Sequence, residues 1–216
     1  MKTTKYFRSV WFITILIIVF PLIIYAVVNR YKNRFEALPV FPENSVFAKT
    51  GFNTSYAQLE FYNQEARIIS FDKLNQKIIL VNFFFTHCPG ICLKMMTNEK
   101  KLQQILSRDT DICFLSFSVD PNHDSIPVLA RYARLLDIGN DQWHLMTGDK
   151  RTIYQLARKK FNLSATEGDG GPEDFIHSDQ LVLLDQKRQI RGYYNGTDPE
   201  TISQLLTDIK KLENEK

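Results

Sequence analysis

An α/β domain with a central mixed sheet flanked by helices is the expectation for this chain, and three features of its sequence carry it. Two runs, IILVNFFF (78–85) and ICFLSFSV (112–119), are apolar on both alternating faces, as strands covered on both sides by helices would be. Each is followed by apolar residues at helical spacing. Near the C-terminus, turn residues separate two further strand-like runs ahead of a last helical stripe.

The elements follow in order. After the first buried run comes a helical pattern with Leu93, Met95, Met96, Leu102, Ile105 and Leu106, and after the second one with Leu129, Tyr132, Ala133 and Leu136. WHLMTG (143–148) makes a third strand, after which Asp149 is the expected N-cap of a helix bearing Ile153, Leu156, Ala157 and Phe161. The Gly-rich, acidic stretch 164–176 reads as a loop. QLVLLD (180–185) and QIRGYY (189–194) flank the turn residues Asp185 to Arg188 and form a hairpin. Asp198-Pro199 opens a final helix whose stripe is Ile202, Leu205, Leu206 and Ile209. Upstream, LEFYN (59–63) and RIISF (67–71) predict a small N-terminal hairpin. The order β-α-β-α-β-α then β-β-α, with a cysteine pair directly behind the first buried strand, is similar to a thioredoxin-like fold. In open α/β sheets functional groups gather beyond the carboxyl ends of the strands, where that pair falls.

Ahead of this domain, Val10 to Val28 is an uncharged run of 19 residues interrupted only by Thr14 and Pro21. At ~1.5 Å per helical residue it nearly matches a hydrocarbon core of ~30 Å, and it leads into Arg30, Lys32 and Arg34 without a small-x-small cleavage site. The expected organisation is a tail and transmembrane helix over 1–34 (span 10–28), a tether over 35–45 with Pro39 and Pro42, and one domain over 46–216. Six of the 27 basic and none of the 24 acidic residues lie in 1–34, which leaves 21 basic against 24 acidic. No basic footprint for nucleic acid remains.

The chemistry concentrates in FFFTHCPGIC (83–92). Of the three cysteines, Cys113 sits in an apolar run and reads as a buried small hydrophobe, which leaves Cys88 and Cys92. Pro89 suits the first position of a helix, so Cys88 is expected at a helix N-terminus and Cys92 one turn later, with both sulfurs aimed at one point. Three readings stay open. A redox couple would have one residue more than C-x-x-C, a disulfide would close a very short loop, and a metal site would offer two soft ligands and need another. Among the histidines, His87 reads as a surface group or as one standing behind the ligands, while His123, in a polar loop, and His144, beside Trp143 in a strand, each read as solvated or satisfied. His177 immediately precedes QLVLLD, at a junction that faces the cysteine motif in a thioredoxin-like fold and where thioredoxins place a proline. It is the candidate third ligand.

Four stretches, in order and within residues 45–212, resemble the Sco (SenC-type) family of membrane-anchored copper proteins that assemble the copper A centre of cytochrome c oxidase. They are VNFFFTHCPGIC, SFSVDPNHDSIPVLARYA, WHLMTGD and HSDQLVLLDQKRQIRGYY. The resemblance implies Cys88, Cys92 and His177 as ligands for copper(I), with copper(II) left open. It also implies Asp120 as an acidic group near the metal or at a partner contact, with Asp124 a weaker companion. The implied partners are the oxidase subunit carrying the copper A site and a copper donor. The implied location is a bacterial plasma (inner) membrane, single-pass, with the globular domain on the extracytoplasmic side. Leu93 departs from the family's usual proline after the second cysteine, which costs preorganisation but removes no ligand. Two thiolates and one imidazole suit three-coordinate copper(I), whereas structural zinc would want a fourth ligand. Met95 and Met96 are soft donors, but their helical spacing places them in the core. The alternative function is a thiol-disulfide oxidoreductase using Cys88 and Cys92. A peroxide-reducing enzyme would need an activating arginine near its cysteine, and no such pattern flanks either one.

Overall fold

The structure, a computed structural model, describes residues 15, 17–28, 37–41, 59–75, 78–139, 141–163 and 178–215. The chain divides into two units, Met1–Ala37 and Leu38–Lys216. In the first, residues 17–28 form helix α1, and all of them are exposed. Among the described residues no helix is long and apolar enough to cross a membrane. Apart from Ile15, the rest of the expected span 10–28 lies outside the described residues, as do 35–36 and 42–45 of the expected tether.

The second unit runs β1 (Glu60–Asn63), β2 (Ile68–Ser70), β3 (Ile78–Phe84), α2 (Ile91–Ile105), β4 (Ile112–Ser118), α3 (Ile126–Leu135), β5 (Trp143–Thr147), α4 (Lys150–Gln155), β6 (Gln180–Leu184), β7 (Ile190–Asn195) and α5 (Pro199–Asn214). One seven-stranded sheet has the order β2-β1-β5-β4-β3-β6-β7. Strands β3, β4 and β5 are parallel, while the two hairpins join antiparallel, β1 to β5 and β6 to β3. The expected mixed sheet and both hairpins are present. The loop expected over 164–176 lies outside the described residues.

Alternation along the strands divides the core in two. Ile78, Leu80, Phe84 and Phe114 pack with Cys92, Met95 and Met96 of α2, Leu129 and Ala133 of α3, and Leu205 and Ile209 of α5. Ile79, Val81, Phe83 and Cys113 pack on the other face with Ile153 of α4, Leu156 and Phe161 after it, and Phe71 in a 3-10 turn. The helices begin where side chains can satisfy their first N–H groups. Asp149 accepts from the Thr152 N–H (2.7 Å), and Asp198 from the Glu200 N–H (3.1 Å) beside Pro199. Residues 38–41, inside the expected tether, pack on this unit. Phe41 bridges to Ile190, and the buried Arg191 guanidinium donates to the Leu38 and Pro39 carbonyls while pairing with Asp185 and Glu215.

One core position is an acid. Glu99, two turns beyond Cys92 on α2, is fully buried, accepts from Asn82 Nδ2 at 2.7 Å, and has no partner for Oε1 among the described residues. Burial pushes its carboxyl well above the usual carboxylate range, so the folded chain holds it neutral. In the unfolded chain it ionises near its ordinary value of 4.5, so the fold loses stability as pH rises from there toward the folded-state pKa. Glu99→Gln keeps the bond from Asn82 and removes this loss. Its melting temperature should match wild type near pH 4 and exceed it increasingly toward pH 8, and parallel curves at every pH would count against a buried neutral acid.

Candidate functional site

The site is built where β3 and β4 end side by side. Val119 N–H donates to the Phe84 carbonyl at 2.8 Å, so the two following loops leave the sheet together. The fully buried Asp124 fastens them. Its Oδ2 accepts from Thr86 N–H (3.0 Å) and Ser118 Oγ (2.6 Å), and its Oδ1 from Thr86 Oγ1 (2.6 Å) and His123 Nδ1 (2.9 Å). Four donors on two oxygens fill the acceptor capacity of an ionised carboxylate. Thr86 lies two residues before Cys88, so this carboxylate fixes the strand end from which the cysteine motif departs.

Helix α2 starts at Ile91 with Gly90 as N-cap and no side-chain cap. Pro89, expected at the first helical position, sits one residue before the N-cap, so Cys88 precedes the helix instead of opening it. The helix nevertheless begins inside the motif. Cys88 Sγ does what the missing cap would, accepting the Cys92 N–H at 3.4 Å, one of the donors a helix N-terminus leaves unpaired. Burial works against a charged Cys88. Hydrogen bonds from the Cys92 thiol and from the Gly90, Cys92 and Ile91 backbone outweigh it and lower the pKa. Cys92 is buried, and that burial, together with its thiol bond to Cys88, pushes its pKa up to about 12. The pair is therefore unequal, with a half-buried outer sulfur that ionises first and an inner sulfur that holds its proton. All three cysteines are free thiols. Tyr132 of α3 stacks on Phe84 beside them; burial, and then the nearness of Cys92 and Cys88, raises its phenol to about 12.

A cavity of 160 Å³ opens at Cys92 and is lined by Phe84, Phe85, Ile91 and Val119, and by Ser178 and Asp179 on the approach to β6. Asp179 is held in place, its carbonyl accepting the Gly196 N–H (2.7 Å) and its carboxylate Asn195 Nδ2 (2.8 Å). His177 lies outside the described residues. Asp120, on the turn after β4, is bonded through its N–H to Ser118 Oγ, and its Oδ2 lies 3.8 Å from His87 Nε2. Cys113 is on the opposite face of the sheet from Cys92 and cannot join it. His144 is buried and accepts from Asn63 Nδ2, with burial lowering its pKa, as a satisfied core histidine should. Met95 and Met96 are in the core, and Leu93 is half exposed, so it fills no packed position that proline would have left. Sequence reasoning placed Asp124 behind Asp120, whereas the structure makes Asp124 the central group. Nothing in the sequence pairs His87 with His123, yet their rings meet at 4.5 Å.

A mixed sheet of this order, with two unequal thiols beyond the end of its first parallel strand, defines a thioredoxin-like thiol domain. The SCO1/SenC family model matches residues 48–214, and the chain belongs to that family. A SCO1 homologue from Bacillus subtilis (strain 168) is 27% identical over 164 residues, covering 75% of this chain and 84% of the relative. BsSco, a member of the Sco family of cytochrome c oxidase assembly proteins in which a disulfide switch was identified, has a solved structure. It superposes with a TM-score of 0.63 at 28% identity, over 73% of this chain and 92% of its own. Arabidopsis thaliana ScoI, solved with copper bound, is 19% identical and shares the fold at a TM-score of 0.56, over 71% of this chain and 96% of its own.

Two outcomes test this geometry. Limited iodoacetamide treatment of the reduced chain near pH 7.5 should modify Cys88 at least ~10-fold faster than Cys92 by peptide mass spectrometry, since only the thiolate reacts; equal labelling would refute the inequality. Asp124→Ala strands the Thr86 and Ser118 donors and should cost about 3 kcal/mol in urea unfolding. A loss within ~0.5 kcal/mol, the range of ordinary surface substitutions, would show that the carboxylate does not hold the loops.

Proposed function

We propose that this chain binds copper(I) through Cys88, Cys92 and His177 and delivers it to, or assists maturation of, the copper A centre of cytochrome c oxidase. The observation that carries the reading is the shared cavity: Ser178, the residue directly after His177, lines it together with Cys92. An imidazole from that segment would complete two thiolates as a three-donor set, soft enough for copper(I) and open to an incoming ligand from a partner. Copper is bound in the Arabidopsis relative, and BsSco is an oxidase assembly protein, which supports the same cargo and client here. Asp120, near the thiol loop, is assigned to tuning the ion or contacting the partner, either the oxidase subunit or a copper donor. Residues 10–28 are assigned as the anchor in a bacterial plasma membrane, with the domain on the extracytoplasmic side. The unbroken exposure of apolar residues along α1 supports that anchor, since such a surface is stable only when covered.

The lowered pKa of Cys88 favours a second reading, a thiol-disulfide oxidoreductase. The Cys88 thiolate would attack a partner disulfide and release one partner thiol. Cys92 would then resolve the mixed disulfide, leaving Cys88–Cys92 oxidised and both partner cysteines reduced.

Anaerobic titration of the reduced full-length chain in detergent, against a chromogenic copper(I) chelator, separates the two. One equivalent should bind, and Cys88→Ser, Cys92→Ser and His177→Ala should each weaken binding at least ~10-fold with an unchanged circular dichroism spectrum. Wild-type affinity in His177→Ala would remove that residue from the site. Weak copper binding alongside rapid reduction of a test disulfide would favour the oxidoreductase.

A further inference from the structure

We propose that His87 and His123 form a second metal site, for a borderline divalent cation such as copper(II) or zinc, with Asp120 as the neighbouring carboxylate and Asp124 as the group that orients His123. The two histidines come from different loops, 36 positions apart, yet their rings meet at 4.5 Å and 61°. One donor atom from each of His87, His123 and Asp124 lies within 4.8 Å of the others, and Asp120 Oδ2 is 3.8 Å from His87 Nε2. Both imidazoles are about half exposed, at 50% and 54%, so an ion can reach them from solvent.

The roles within the cluster follow from hydrogen bonding. Asp124 is fully buried and its oxygens already accept from four donors, so turning it toward a cation would strand Thr86 and Ser118. What it does instead is accept a hydrogen bond from His123 Nδ1–H at 2.9 Å. That fixes the tautomer and leaves the lone pair on Nε2, the carboxylate-histidine arrangement that positions a metal-binding imidazole. The supporting backbone is fixed in the same way. The His123 and Asp124 N–H groups both donate to the Asp120 carbonyl, at 3.1 and 2.8 Å, while Asp124 holds Thr86 next to His87. His87 is further set by edge-on packing against Phe85 at 4.9 Å. Two imidazoles brought together at the surface, with the Asp120 carboxylate 3.8 Å from one of them, leave open positions around an ion, and imidazole donors suit copper(II) and zinc. The thiols beside it are soft donors and prefer copper(I). The site uses none of Cys88, Cys92 and His177, and shares only Asp120 with the copper(I) reading.

The test therefore uses the full-length chain in detergent with Cys88→Ser, Cys92→Ser and His177→Ala combined. Titration with copper(II) followed by electron paramagnetic resonance should show one equivalent bound with nitrogen hyperfine structure, and zinc chloride should compete for it. Adding His87→Ala or His123→Ala, both at exposed positions, should weaken binding at least ~10-fold, and Asp124→Asn should weaken it ~10–100-fold through the orienting bond. No stoichiometric copper(II) in the triple variant overturns the proposal, and so does binding that survives His87→Ala and His123→Ala together. Loss in those variants with an unchanged circular dichroism spectrum supports it.

Discussion

A single buried carboxylate holds this end of the molecule together. Asp124 is out of solvent, and an ionised group there is tolerable only because four donors converge on it. Those donors come from the carboxyl ends of β3 and β4 and the loops beyond them, so the buried oxygens find all their partners only when the two loops are aligned. The candidate site at this edge is hung from that alignment: the approach to Cys88, the turn carrying Asp120, and the meeting of His87 with His123. Removing the donors one by one would leave the charge progressively exposed to a low-dielectric interior, which is why the arrangement has one stable geometry.

The sheet supplies the second constraint. Because successive side chains point to opposite faces, Cys113 and Cys92 are kept on separate sides of a layer that neither can cross. The thiol chemistry is thereby restricted to two sulfurs, and helix α2 makes those two different. Its Cys92 N–H, donated to Cys88 Sγ, stabilises charge on Cys88, while its packing against the core suppresses charge on Cys92. One helix start thus produces an outer nucleophilic sulfur and an inner protonated one from the same residue type.

Most of the architecture could be read from the chain because period and punctuation agree. The two apolar runs became β3 and β4, both hairpins formed around their turn residues, and Asp149 and Asp198 cap helices as their positions suggested. What escaped were features that depend on three-dimensional neighbours. Pro89 looks like a first helical residue by type, but Gly90 is the N-cap and the helix starts at Ile91, two residues after Pro89. Arg191 sits in a strand pattern that gives no hint of the carbonyls of Leu38 and Pro39 waiting to receive it. The helix after Asp149 ends in a π-helical turn, Leu156–Lys160, whose extra residue still keeps Leu156, Ala157 and Phe161 buried, so apolar spacing cannot reveal it. At the site, Cys88 and Cys92 were visible from their spacing, whereas the importance of Asp124 depends on Thr86 and Ser118, residues that no motif connects to it.

The inequality of the thiols bears on how an ion could leave as well as enter. A site made of two equally buried thiolates would hold copper(I) firmly but give a partner no weak bond to replace first. Under the proposed copper(I) binding, the inner sulfur, whose pKa burial and the Cys88 thiol push up to about 12, would ionise only with the cation present, while the half-buried Cys88 ionises more readily. Loading would begin at Cys88 and be completed by proton loss from Cys92. Release would run the other way: an incoming donor competes at the exposed sulfur, and reprotonation of the buried one drives the ion off. Under the proposed copper(I) binding, the gradient of burial between positions 88 and 92 would give transfer a direction, and the placement of Cys92 in the first turn of α2, with Cys88 outside the helix, is what creates it.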